Sequence, residues 1–470
     1  MTAIQCISPV DGRVFASRPV ADAAVIASAL AAARKAQREW RHVPVTERAR
    51  ILSAAIDAML AMQDEIGPEL SWQMGRPIRY AAGELKGFEE RARHMILIAD
   101  MALAPVLPEA REGFMRYIRR DPVGIVLTIA PWNYPYLTAV NSIIPALMAG
   151  NAVLLKHAAQ TLLVGERFQM AMDRAGLPRG LFQTLVLGHA ETLALIGSAE
   201  INHVSFTGSV AAGRAVERAA AGTFTTMGLE LGGKDPAYVR ADADLAAAVE
   251  TLVDGAMFNS GQCCCGIERI YVHENLFRRF VDDAVALTAQ YVVGSPLDQA
   301  TTLGPMAQLR LANVVRDHIS DALARGAKAH LDPASFPGAK DATPYLAPQI
   351  LTGVDHSMLV MSEETFGPVV GIMPVADDAQ AVRLMNDSPY GLSAAIFTRD
   401  EAAAACLGDQ LETGTVFMNR CDYLDPGLAW TGVKNTGRGA SLSSLGYESL
   451  TRPKSYHLKQ SLSLAESLIP

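Results

Sequence analysis

The chain has 470 residues, a formal charge of -8 and a hydrophobic share of 50%, which predicts two or three domains around a large buried core. Mild acidity without a basic stripe argues against nucleic acid or an anionic membrane surface as partner. No apolar run reaches the roughly 18 residues of a membrane span. Met1 to Arg13 lacks the pattern of a secretory signal, and six cysteines without framework spacing fit a reducing cytoplasm.

Taken in chain order, the first residues read as a strand with a tight turn at Asp11-Gly12. Ala21 to about Ile98 is Ala-rich and helical, broken at Pro44, Pro68 and Pro77, with Thr46 as a helix cap. Phe114 to Asp121 is polar, Arg-rich and strand-like, suited to an arm or interface. Gly124–Ala130 is a continuous apolar run, the pattern of a strand buried on both faces. Alternation follows: helix Tyr136–Ala149, strand Asn151–Lys156, helix Thr161–Ala175, strand Leu181–Leu187, helix Ala190–Gly197, strand His203–Thr207, helix Val210–Ala221 and strand Thr225–Glu230. Such alternation predicts a parallel sheet wound by crossover helices. A second α/β region starts after Gly232-Gly233, with strand Ile267–His273 and helix Asn275–Gln290. The tail Ser455–Pro470 reads as a strand outside the main core.

Several local signals carry chemistry. Cys263-Cys264-Cys265 hold half of the cysteines. Neighbouring side chains diverge, so at most one or two are expected to share an environment. A run of three lacks the spacing of a tetrahedral metal site, and no metal is expected. One cysteine as a nucleophile in a shaped loop is the remaining reading. In Phe206-Thr207-Gly208-Ser209 the chain leaves a strand and opens a helix, whose unpaired N–H groups suit a phosphate; glycines easing a turn are the plain alternative. Lys156 stands at a strand end, where open α/β sheets bind ligands, or is simply solvated. Glu230, flanked by Leu229, Leu231 and Gly232-Gly233, is a candidate general base or a surface carboxylate paired with Lys234. Asn133, framed by Pro131 and Pro135, is a candidate oxyanion donor or a turn residue.

Together, Pro131–Pro135, Phe206–Ser209, Glu230–Lys234, Gly261–Cys264 and Glu364-Thr365-Phe366-Gly367-Pro368 resemble the successive motifs of the aldehyde dehydrogenase superfamily. Tyr390-Gly391-Leu392, Asn419 and Lys434-Asn435-Thr436-Gly437 extend the resemblance over nearly the whole chain. It implies an α/β fold with a Rossmann-like cofactor domain (1–104 and 122–232), a catalytic domain (233–449) and a small bridging β element (105–121 and 450–470) that pairs subunits into a homodimer or homotetramer. The implied reaction oxidises an aldehyde to its acid with NAD or NADP. Cys264 would be the nucleophile, Asn133 and the Cys264 N–H the oxyanion donors, and Glu230 the base for hydrolysis. Lys156, Trp132, Gly208, Ser209, Leu231, Glu364 and Phe366 would hold the cofactor. Leu137, Thr138, Asn141, Phe258, Cys263, Cys265 and Trp430 would line the substrate funnel, with Arg420 facing a substrate carboxylate or pairing with Asp422 or Asp425. Rival readings are transfer of the thioester to coenzyme A and a non-catalytic binding protein.

Three departures stand out. Ala159 replaces the acid that grips the adenosine ribose, so NADP is expected to be accepted. Gly437-Arg438-Gly439 lacks the following glutamate, leaving Glu448 as the candidate substitute. Ala429-Trp430-Thr431-Gly432 replaces a Pro-Phe-Gly-Gly segment.

Overall fold

The computed structural model describes residues 2–460. The central apolar runs form a six-stranded sheet. β1 (Ile125–Ala130), β2 (Ala152–His157), β3 (Phe182–Thr184), β4 (His203–Thr207) and β5 (Thr226–Glu230) pair parallel in the order β5-β4-β1-β2-β3, and Gly437–Arg438 adds an antiparallel edge to β5. β1 is buried at all six positions, as a strand covered on both faces requires. From β1 the chain winds one way to β2 and β3, then returns to β4 on the other side. The reversal leaves a crevice at the carboxyl ends of β1 and β4, the place where such sheets bind ligands. Pro131–Pro135 and Thr207–Ser209 leave the sheet there.

A second, seven-stranded sheet contains β6 (Asp235–Val239), β7 (Ile267–His273), β8 (Gln349–Thr352), β9 (Val369–Val375), β10 (Ser393–Phe397) and β11 (Thr415–Met418). Its order is β8-β9-β7-β6-β10-β11, all parallel, with Lys328–Ala329 antiparallel at the β8 edge. Three of the helices that position the site are α1 (Ile78–Ala102), α2 (Pro135–Met148) and α3 (Val210–Ala220). The arm Phe114–Pro122 pairs antiparallel with Thr451–Lys459 over nine residue pairs, and Tyr117 stacks on Tyr456 at 4.5 Å.

Local readings needed correction. Helix Val45–Leu60 is capped by Pro44 without a side-chain bond, so Thr46 lies inside its first turn. Pro68 sits within helix Gln63–Met74 and does not end it. The strand expected over Leu181–Leu187 pairs only at Phe182–Thr184. The predicted tail strand lies at Thr451–Lys459, and residues 461–470 fall outside the described part.

Candidate active site

The cysteine triplet precedes β7 and follows a loop in unusual backbone. Asn259, Ser260 and Gly261 have φ of 53°, 58° and 68°, in the left-handed region. A side chain on Gly261 would collide with the backbone of Gly367, so the Gly261 and Glu364–Pro368 motifs lock together. Gln262 is held at both ends of its amide: Nε2 donates to the Asn259 carbonyl at 3.0 Å and Oε1 accepts from Ala307 N–H at 2.8 Å. This bend overturns the expectation of divergent cysteines. The three sulfurs all lie within 4.8 Å of one another.

Cys264 is half-buried, while Cys263 and Cys265 are buried. The Cys263 and Cys265 thiols donate to Asp422 Oδ1 at 2.9 and 3.0 Å. Those same thiols, beside the Cys264 sulfur, pull its pKa down to about 6 against the opposing effect of burial. Each thiol has one proton, so it serves Asp422 or Cys264 at a given moment. Burial pushes the Asp422 carboxyl well above the usual carboxylate range. A reactive thiolate at Cys264 flanked by two protonated thiols fits these directions.

Asn133 is buried; its Nδ2 donates to the Gln262 carbonyl at 3.2 Å. Its own carbonyl accepts from Arg76 Nη2 at 2.6 Å and from Asn259 Nδ2 at 3.3 Å. Arg76 is paired with Glu84 in full burial, and Glu84 Oε1 accepts the Tyr136 and Leu137 N–H groups at 2.9 and 3.0 Å. Glu84 thus caps the start of α2 while anchoring the arginine that holds Asn133. The Cys264 N–H has no acceptor among the described residues, and the Cys264 carbonyl packs so closely on Gly233 that a Cβ there would lie 2.5 Å away.

Glu230 ends β5, half-buried, on a separate wall. Burial raises its pKa; the hydroxyls of Ser441 and Thr207 and the charge of Arg91 pull the other way. Thr207 Oγ1 donates to Glu230 Oε2 at 3.0 Å. Lys234 pairs with Glu268 and bonds Thr365 Oγ1 at 3.0 Å, which removes the reading of Glu230 as its surface partner. Glu230 lines a small cavity of about 40 Å³ with Thr138, Asn141, Ser142 and Ser441. Asn141 Nδ2 is buried without a hydrogen-bond partner among the described residues, and the buried Ser441 Oγ faces the Glu230 carboxyl without forming a well-aligned bond. Glu448, the candidate substitute, is exposed and does not line this cavity.

The funnel has a volume of about 700 Å³ and is lined by the triplet, Tyr134, Leu137, Thr138, Phe258, Leu287, Tyr291, Leu424, Arg91, Glu250, Asp254, Cys421 and Asp422, among others. Leu137, Thr138, Phe258, Cys263 and Cys265 line this funnel. Two candidates do not. Trp430 is buried in the core, in a short ladder pairing with Ser441. Asn141 is turned into the small cavity beside Glu230. Arg420 also stays off the funnel wall, stacked 3.5 Å from the Tyr423 ring centre, and it pairs with neither Asp422 nor Asp425. The reading missed Arg91, whose Nη1 donates to the Leu137 carbonyl at 2.9 Å. Its signal was present: Glu84 and Arg91 are charges seven apart within the buried face of α1, which otherwise carries Ala81, Leu85, Phe88, Ala92 and Met95.

The residues expected to hold the cofactor lie at or after the carboxyl ends of β1, β2, β4 and β5 and on the Glu364–Pro368 loop. Trp132, after β1, meets Phe366 edge-on at 5.7 Å. Ser209 is the N-cap of α3, accepting from Ala212 N–H at 3.3 Å, and Gly208 N–H bonds the Glu230 carbonyl at 3.0 Å. Leu231 is buried and packs on Gly213 of α3, so it fixes helix to strand. Glu364 accepts from Gly233 N–H at 3.2 Å, and burial pushes its pKa up to about 8. The Lys156 ammonium, half-buried at the end of β2, has no partner among the described residues, and burial lowers its pKa. An unpaired ammonium, a helix N-terminus and an under-bonded carboxyl along one crevice suit a ligand with phosphates and ribose hydroxyls.

This fold and these loops define an enzyme class. Residues 1–456 match the model of the aldehyde dehydrogenase family, and the chain belongs to that family. An aldehyde dehydrogenase of Paenarthrobacter nicotinovorans is 34% identical over 452 residues, covering 94% of this chain and 97% of the relative. The NAD(P)-dependent succinate semialdehyde dehydrogenase of Escherichia coli is 34% identical, covering 94% of each chain. Among solved structures, the NADP-dependent glyceraldehyde-3-phosphate dehydrogenase of Bacillus halodurans, complexed with NADP, superposes with a TM-score of 0.92 at 31% identity, covering 98% of this chain and 96% of that one. The expected α/β fold and the expected reaction class, NAD(P)-dependent aldehyde oxidation, both stand.

Proposed function

We propose that this protein oxidises an uncharged aldehyde with an aromatic or apolar body to its carboxylic acid, with Cys264 as nucleophile and Glu230 as the base for hydrolysis. The observation that carries the reading is the Cys264 sulfur, depressed in pKa, on the floor of an aromatic-walled funnel with the Asn133 amide beside its loop. The thiolate attacks the aldehyde carbon, and the oxygen anion that forms is held by the Cys264 N–H and the Asn133 amide. NAD(P), when bound, would accept the hydride that the thiohemiacetal on Cys264 loses as it becomes the thioester. Glu230 then removes a proton from water as that water attacks the thioester carbon, and Cys264 leaves as thiolate. Asn141 Nδ2, a buried amide without a partner among the described residues, and the Ser441 hydroxyl beside Glu230 hold that water in place of the missing family glutamate.

Lys156, Ser209, Trp132, Glu364 and Phe366 would hold the cofactor, as the family's motifs imply. The division into two sheets supports a cofactor domain of 1–104 and 122–232 and a catalytic domain of 233–449. The ribbon of Phe114–Pro122 with Thr451–Lys459 is the subunit-pairing element, supported by exposed Val106, Leu107, Met115 and Leu458 around it. No described helix is long and apolar enough to cross a membrane, and six free cysteines support a cytoplasmic setting.

A second reading is a short semialdehyde whose carboxylate meets Arg91, the cation on the funnel wall. NAD(P)H absorbance with a panel of aromatic aldehydes, aliphatic aldehydes and succinate semialdehyde, with and without coenzyme A, separates these readings. Turnover of benzaldehyde-type substrates without coenzyme A supports the first. Strict dependence on coenzyme A overturns hydrolysis, and activity confined to semialdehydes overturns the uncharged class.

A further inference from the structure

We propose that Cys263, Cys264 and Cys265 together with Asp422 form a site for a thiophilic divalent cation, Zn2+ or Cd2+, whose binding masks the nucleophile. The masking rests on the reading of Cys264 given above; the site itself does not. Consecutive cysteines rarely converge, but here the left-handed bend at Asn259–Gly261 and the turn at Cys264–Cys265 bring all three sulfurs within 4.8 Å of one another. The Cys263 and Cys265 sulfurs are 3.6 Å apart. Tetrahedral zinc with bonds of about 2.3 Å to sulfur needs ligand sulfurs about 3.8 Å apart, so one edge is already formed and the others need close by no more than about 1 Å. Asp422, itself at φ 50°, places Oδ1 2.9 and 3.0 Å from the Cys263 and Cys265 sulfurs but not within 4.8 Å of all three, so its carboxylate shifts toward Cys264 to become the fourth ligand.

Three soft sulfurs and one carboxylate select zinc and cadmium over magnesium or calcium. Glu250 and Asp254 line the same funnel and raise the local concentration of cations. On binding, the thiols and the Asp422 carboxyl release their protons to solvent, and the metal takes the Cys264 lone pair that would attack the aldehyde. A chelator reverses this, because no covalent bond of the protein changes.

The test is a Cd2+ titration of the metal-free enzyme, followed by thiolate-to-metal absorbance, with Zn2+ as competitor. One Cd2+ per chain is expected, displaced by Zn2+. Cys263→Ser and Cys265→Ser each remove about one third of the band, since one of three thiolates is lost. Asp422→Ala keeps the band and weakens binding by at least about tenfold, a loss typical even of outer-shell partners. Cys406→Ser, at an exposed cysteine away from the funnel, changes nothing. X-ray absorption on the wild-type zinc complex is independent of variant folding and should show three sulfurs and one oxygen. A shell without sulfur, or a band untouched by the triplet variants, overturns the site. Loss of aldehyde oxidation with Zn2+, restored by chelator, supports masking. Full activity with the three-sulfur complex formed overturns masking and the role of Cys264, while leaving the binding result standing.

Discussion

Asn133 and Gln262 lie 129 residues apart in sequence, yet the Asn133 side chain donates to the Gln262 carbonyl at 3.2 Å, one residue before the triplet. The bond ties the loop after β1 to the loop before β7, and so one sheet to the other at the reacting centre. If its amide also serves the oxyanion, Asn133→Ala removes a donor worth about 3–4 kcal/mol of barrier, or roughly a hundred- to thousandfold in the single-turnover rate of NAD(P)H formation. A loss below tenfold would place the oxyanion elsewhere.

The pKa directions at Cys264 and Glu230 predict different pH profiles for the two half-reactions. Cys264 is depressed to about 6, so its thiolate is present above that pH and is lost as pH falls through it. Glu230 is raised, so its basic form is gained only at higher pH. The burst of NAD(P)H should rise through about pH 6 and level off, while steady-state turnover also falls away as the pH drops into the range where the raised Glu230 carboxyl is protonated. Stopped-flow absorbance across this range reads the burst; a burst that is flat through pH 6 would contradict the assignment of Cys264.

Ser441→Ala should slow deacylation while leaving the burst intact, because the Ser441 hydroxyl lines the cavity and steadies the Glu230 carboxylate. The ratio of burst amplitude to steady-state rate reads this directly. A slowed burst with unchanged steady state would assign Ser441 to the first half-reaction.

Arg76 and Glu84 form a fully buried pair, with 2% and 0% of the side chains exposed. Glu84→Ala leaves a buried guanidinium unpaired and two helix N–H groups uncapped, a loss of about 3–5 kcal/mol. Denaturant unfolding measures it. Glu84→Gln keeps the acceptor for Tyr136 and Leu137 and should recover part of the loss.

Ala159 is exposed close to the unpaired Lys156. Ala159→Glu should lower kcat/KM for NADP by at least about tenfold relative to NAD, since a carboxylate repels the 2′-phosphate. An unchanged ratio would remove this position from cofactor selection.

The strand runs were legible because a strand buried on both faces must be apolar throughout, as β1 is. The catalytic loops were legible through their glycines and prolines. What could not be read was convergence. The three cysteine sulfurs meet because Asn259, Ser260 and Gly261 adopt left-handed backbone, which Asn and Ser do not advertise. Arg76 reaches Asn259 from 183 residues away, so its role depends on tertiary packing. Trp430 was placed on the funnel by its neighbours in sequence, whereas the ladder with Ser441 turns it into the core.

Mass spectrometry of Glu230→Gln, quenched after one burst with aldehyde and NADP, tests the central assignment most directly. An acyl group on the peptide containing the triplet, localised to Cys264 and absent in Cys264→Ala, is the predicted result. An adduct on Cys263 or Cys265, or a burst with no acylated cysteine, would contradict it.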